Sequence, residues 1–181
     1  MANRFMKLTS GYLKLFILCS FIFITGYVFL FIVLGHYVFL KNDILHKSDQ
    51  QMIQDFLKNE NKFYNLLNMV SHDEGLNRVD DNWYDPENLD SINISKERIE
   101  LYRQLFKELG IPRGFYRYSN GDVEFISSSQ GVAVSGSSKS FIWHQKKPSH
   151  LVESIDLDEK YINYPVYRHI KDHWYIMFDA D

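Results

Sequence analysis

The run FYRYSNGDVEFIS, Phe115 to Ser127, decides the fold. Apolar and polar residues alternate from Phe115 to Ser119 and again from Asp122 to Ser127, on either side of Asn120-Gly121. That dipeptide between two alternating runs signals a tight hairpin, because a two-residue β-turn needs the positive φ that Asn and Gly tolerate. Further strands are expected at Gly131–Ser135, Phe141–Gln145, Val166–Ile170 and Trp174–Phe178, the last two joined by the short Lys171-Asp172 link. No helical pattern separates successive strands, so the sheet is expected to be antiparallel, with five or six strands.

Upstream of the hairpin the period changes to that of a helix. Ile99, Tyr102, Leu105, Phe106 and Leu109 form one stripe, Ser95 is placed to cap its start, and Gly110 with Pro112 ends it. Before that lies SHDEGLNRVDDNWYDPENLDSINI, residues 71–94, read as an irregular loop with seven acids against one base, Arg78. Earlier still, Leu45, Met52, Ile53, Phe56, Leu57, Phe63, Tyr64, Leu67 and Val70 recur at steps of three and four. No Pro or Gly interrupts residues 36–74, so this helix is expected to run on from the segment before it. Its stripe needs cover from the domain that follows or from a homodimer through the 45–70 helix. Three heptads make a short coiled coil, which favours the domain.

The N-terminal segment is of another kind. From Leu15 to Leu40 there are 26 residues without Asp, Glu, Lys or Arg, bracketed by Lys14 and Lys41. A helix of that length reaches about 39 Å, and roughly 20 residues cross a bilayer core. The run is about twice as long as a signal-peptide core and no A-x-A-like site follows it, so an uncleaved anchor is expected. Arg4, Lys7 and Lys14 before the span, against Lys41 and Lys47 after it, favour a cytosolic N-terminus. The expected layout is a short tail (1–14), a transmembrane helix (15–40), a juxtamembrane amphipathic helix (41–70) and an α+β extracytoplasmic domain (71–181). In fold terms, a transmembrane helix continues into a long helix, and a second helix packs on the antiparallel sheet.

Charge and cysteine content narrow the setting. All 23 acids lie beyond residue 40 with 17 of the 20 Lys and Arg, giving that part a formal charge of −6. An acidic body excludes a nucleic-acid partner, whose phosphates need a basic face. The single cysteine, Cys19, lies in the apolar run, so the body has no disulfide. A disulfide-free body outside the cytosol points to a bacterial inner membrane with the domain in the periplasm.

Motifs for chemistry are weak. The acidic loop lacks the glycine offset of a calcium-binding EF-hand. Gly131 and Gly136 have phosphate-loop spacing, but Ser137 stands where Lys is needed and strands flank the stretch where a helix should follow. His169 and His173 are four apart, yet they flank a two-residue turn, where imidazoles diverge. His144, in Trp143-His144-Gln145, is expected on the wetter sheet face. No metal, cofactor or catalytic residue is assigned.

The remaining signal is for binding. Trp83 and Tyr84 sit amid Asp80, Asp81 and Asp85, where they either anchor the loop or meet a partner, while Tyr116, Tyr118 and His144 stand at alternate strand positions. Those eight residues are the candidate partner-binding set. The layout is similar in architecture, without a shared motif, to small extracytoplasmic sensor domains and to membrane-anchored immunity proteins. The expected function is a single-pass, non-enzymatic binding module for a protein partner in the cell envelope, an immunity-type inhibitor being one version. A small-ligand sensing subunit signalling laterally in the membrane is the alternative, and a hydrolase with an unrecognised site comes third.

Overall fold

The computed structural model describes residues 24–31, 46–132, 135–156 and 164–180. The chain divides into two compact units, Met1–Ile44 and Leu45–Asp181. In the first unit, residues 24–31 are helical. No helix among the described residues is long and apolar enough to cross a membrane. The rest of the expected span Leu15–Leu40, with Cys19, lies outside the described residues, as does the expected continuation over 41–45.

The second unit is α+β, with helices and a seven-stranded antiparallel sheet. Its helices are α1 (Asp49–Lys58), α2 (Glu60–His72) and α3 (Lys96–Leu109), with a short 3-10 helix at Leu89–Ile92. The strands are β1 (Arg78–Val79), β2 (Tyr84–Asp85), β3 (Phe115–Arg117), β4 (Val123–Val132), β5 (Ser135–Trp143), β6 (Val166–Lys171) and β7 (Trp174–Ala180), in the order β2-β1-β3-β4-β5-β7-β6.

The expected long helix is two helices with a start of its own. Residues 46–48 are not helical, and Ser48 caps α1 in a box with Gln51, each side chain bonding the other's backbone N–H. The break falls at Asn59, whose N–H reaches the carbonyls of Asp55 and Phe56 and whose side-chain amide also donates to Asp55 O at 2.9 Å. Asn competes with the helix for its own hydrogen bonds, so it suits such a joint. Of the expected stripe, Met52, Phe56, Phe63 and Val70 lie in the domain core and Ile53 and Leu67 pack against it, whereas Leu57 and Tyr64 are exposed; Leu66, outside that stripe, is buried with the core. Helix α3 starts at the Ser95 cap and ends at Gly110, φ +66°, as its sequence signals require.

The sheet exceeds the expected five or six strands. The additional pair, β1 and β2, lies inside the supposedly irregular loop 71–94, which also holds the 3-10 helix. Of the expected strand Gly131–Ser135, Gly131 and Val132 end β4 and Ser135 begins β5, with Val132 paired to Ser135; residues 133–134 lie outside the described residues. A register shift between Ile126 and Ser128 exchanges the faces of β4 partway along. Another between His169 and Lys171 pairs Lys171 with Trp174 and His169 with Tyr175. The sequence alternation had put His169 opposite Trp174.

Pairing carries two rows straight across all seven strands, one on each face. The inner row runs Tyr84, Val79, Phe115, Phe125, Phe141, Ile176, Arg168. The helices cover it, and Phe63 packs at a tilt against Phe141 at 4.7 Å while Phe56 meets Trp174 at 5.1 Å. Fully burying one such ring is worth about 2–3 kcal/mol, and the rings of this cluster touch one another. Gly114 lets β1 dock beside β3. Its φ is +67°, and a Cβ there would fall 1.8 Å from Val79 O.

Candidate functional site

The outer row runs Asp85, Arg78, Tyr116, Glu124, Ile142, Tyr175, His169. Directly paired residues share a face, so this row and its diagonal neighbours define the surface turned away from the helices. Its middle is a small second core of Ile142, Tyr175 and Met177, flanked by half-buried Tyr118 and Tyr167. Two separate readings of the sequence, the acidic loop and the sheet face, therefore meet along one line.

Glu124 lies at the centre of that row and is 5% exposed. Its Oε2 accepts the Tyr118 hydroxyl at 2.7 Å. Burial pushes its carboxyl above the ordinary glutamate range, and the nearby Asp179 adds to the rise, against the bond from Tyr118 and the charge of Arg78. The Tyr118 hydroxyl is in turn driven upward by burial and by Glu124 itself. Tyr116 packs edge-on against Tyr118, 4.8 Å between centroids.

His144 departs from its expected place on a wet face. It is buried just past the end of β5, where Nδ1 meets Asp122 Oδ2 at 2.7 Å and the ring stands edge-on to Tyr167 at 4.9 Å. Asp122 Oδ1 also accepts the backbone N–H of Gln145, so the pair closes the hairpin's open end. His144 Nε2 is buried with no hydrogen-bond partner among the described residues. An Asp–His pair can orient an imidazole for proton transfer, but this nitrogen is shut off from solvent. His169 and His173 diverge: His169 stands against Tyr175 at 5.1 Å, and His173 against Trp143 at 5.8 Å.

The five loop candidates separate by role. Tyr84 packs against the main core and anchors the loop. Asp80 is buried, accepting from the Asp81 backbone N–H at 2.8 Å and from Arg78 at 3.3 Å. Asp85 accepts the Asn77 amide at 2.8 Å. Asp81 and Trp83 are exposed. Trp83 is 42% exposed, and the Arg78 guanidinium lies 5.2 Å from its ring centroid. Because Arg78 faces Tyr116 across the ladder, Trp83, Arg78, Tyr116 and Tyr118 form a continuous strip at the β1–β3 end of the outer face. Arg78 was the member that sequence reasoning passed over; its signal was being the one base among seven acids.

A cleft of about 680 Å³ lies between the loop and α3, lined by Asp81, Glu100, Arg103, Gln104, Phe106, Lys107 and Pro112. Arg103 is already engaged by Glu100 at 2.6 Å and by Asp80 O at 3.1 Å.

The inner face has its own polar cluster. Asp49 accepts from the Ile155 backbone N–H at 2.7 Å and from Arg168 at 2.8 Å, and forms an ion pair with Lys139 at 2.8 Å. Lys139 also donates to Asp156 at 2.7 Å. Burial would raise the Asp49 carboxyl, but the cations and hydrogen bonds prevail and hold it at about 2. His46 bridges the Ser128 and Ser137 hydroxyls at 2.7 and 2.8 Å, with its basicity lowered by burial and by Lys139. No group of three or more His, Cys, Asp or Glu among the described residues is placed to hold a metal ion.

No family model matches the chain, and no curated protein or solved structure matches it either.

Proposed function

We propose that the chain is a membrane-anchored, extracytoplasmic binding module that captures a protein partner in the cell envelope without catalysing a reaction. The observation that carries this reading is the strip of Trp83, Arg78, Tyr116 and Tyr118, exposed at Trp83 and Tyr116. Trp, Tyr and Arg are the residue types that concentrate binding energy at protein interfaces, and here they stand together beside a rigid sheet. The apolar run Leu15–Leu40 supports the anchor, and the weak excess of Lys and Arg before it supports a domain outside the cytosol. Asp80, Tyr84 and Asp85 hold the loop in shape, and Tyr118, bonded to Glu124, packs edge-on against Tyr116.

Two measurements test this. A reporter active only outside the cytosol, fused after Asp181, is expected to be active; activity of a cytosolic reporter instead overturns the topology. A photo-crosslinking phenylalanine derivative is then placed at Tyr116 in the full chain in its native membrane. A discrete adduct is expected from Tyr116 and not from Leu57, which is exposed on α1. Equal labelling from both positions, or none from Tyr116, removes the strip as an interface.

A second reading, a small-ligand sensing subunit, draws support from the cleft beside α3. Its volume lies within the usual range for small-molecule sites. It predicts a ligand-dependent rise in melting temperature that Gln104→Trp, which fills the cleft, abolishes.

A further inference from the structure

We infer that the partner segment seated on the Trp83–Tyr116 strip is basic, presenting lysine or arginine side chains. This rests on the reading of the domain as a binding module and specifies the chemistry of what it captures. Trp83 and Tyr116 are 42% and 36% exposed, so each keeps part of its ring available to a partner. The chain itself shows what such a ring accepts, since the Arg78 guanidinium lies over Trp83. An arginine or lysine arriving at an exposed aromatic face is held in the same way.

Charge selects the sign of the visitor. Arg78 is offset by Asp80, to which it is bonded, and no other Lys or Arg occurs between residues 71 and 94. Asp81 and Glu87 are exposed, and Asp85 is half-buried beside the strip. Asp81 also lines the cleft against α3 with Glu100, Arg103 and Lys107, and there Arg103 is engaged by Glu100. The loop thus presents a net negative field over exposed aromatic rings, which draws cationic segments and repels phosphates and acidic surfaces. A second copy of the acidic body is disfavoured on the same ground.

The test uses the full chain in zwitterionic detergent and three fluorescent peptides of equal length: one alternating Lys and Arg with Gly, its Glu counterpart, and a Gly-Ser control. Fluorescence anisotropy is expected to show binding of the basic peptide alone. Trp83→Ala and Tyr116→Ala leave the net charge unchanged and are each expected to weaken it about fivefold to tenfold. Asp81→Asn is expected to weaken it severalfold, and Glu153→Gln, which removes an equal charge elsewhere, to leave it unchanged. Melting temperatures equal to the parent's confirm that the variants fold. Unchanged affinity in both aromatic variants marks unspecific charge attraction and overturns the inference, as does preference for the acidic peptide. A crosslinked adduct at Tyr116 without basic-peptide binding overturns the basic partner alone, whereas loss of both overturns the binding module too.

Discussion

Two buried carboxylates, on opposite faces of one sheet, are driven in opposite directions. Asp49, 0% exposed on the inner side, meets Lys139, Arg168 and the Ile155 amide, and its carboxyl is held at about 2. Glu124, 5% exposed on the outer side, has a tyrosine hydroxyl for a partner and a second acid, Asp179, near it, and its carboxyl is pushed up. Burial acts on both alike; the cations decide the outcome. On the inner face, charge is neutralised where α1, β5, β6 and the 154–156 segment meet. On the outer face, a carboxyl is kept under an aromatic surface with no ion pair among the described residues, and burial favours its neutral form. Such uncompensated burial tends to mark surfaces that do something besides holding the fold together.

The largest expected effect comes from breaking the inner side. Asp49→Ala leaves Lys139 with Asp156 alone and strips Arg168 of its partner, an uncompensated charge worth about 3–5 kcal/mol. Urea unfolding of the chain in detergent is the measurement, and a loss below about 1 kcal/mol would show that water reaches the cluster freely. Next in size is the acid limb. With a folded value near 2 against an unfolded value near 3.8, Asp49 contributes about 2 kcal/mol that is fully present above about pH 4 and disappears as pH falls through 2. An acid titration of stability should show that slope in the parent and not in Asp49→Asn.

The inner face was largely legible in the sequence and the outer face was not. Period-two alternation identified β3, β4, β6 and β7, and Asn120-Gly121 located the hairpin, because core-facing residues leave a repeating trace. Ser95 and Gly110 marked α3 through capping groups that act within one turn. The start at Ser48 was not read from the sequence, because residues 36–74 hold no Pro or Gly to suggest a break; its capping box with Gln51 was passed over. Strands β1 and β2 span two residues each, too short for any period, and they exist because Gly114 admits the Val79 carbonyl. Of the candidate site, Trp83 and Tyr116 were found as residue types. Their meeting across Arg78 depends on that tertiary pairing, and so does the burial of His144, which needed Asp122 from the neighbouring turn.

A smaller effect sharpens the contrast from the outer side. Glu124 is favoured in its neutral form by folding, so its contribution is fully present below the ordinary glutamate value and is lost as pH rises through the elevated one. Glu124→Gln keeps an acceptor for Tyr118 and removes the charge. It should raise the melting temperature at neutral pH and leave it unchanged at pH 4. An unchanged or lower melting temperature at neutral pH would mean that Arg78 compensates the carboxylate after all. Tyr118→Phe should cost about 1 kcal/mol, and more at neutral pH than at pH 4, since the hydrogen bond is stronger to the ionised acid.

The smallest effect on folding is expected where the effect on binding is greatest. Trp83 is exposed and belongs to neither hydrophobic core among the described residues; its carbonyl accepts the Asp80 N–H at 2.7 Å, and its indole meets Arg78 in a cation–π contact. Losing that contact costs about 0.5–1 kcal/mol, near the limit of a melting experiment on a domain of this size. Tyr84, next to it, packs against the main core, and its replacement by Ala should cost several times more. The two neighbours therefore separate holding the loop from using it. If Trp83→Ala unfolds the loop as Tyr84→Ala does, the indole is a structural prop and the strip loses its principal contact residue. If Trp83→Ala melts within about a degree or two of the parent and the adduct at Tyr116 disappears, the indole serves the partner.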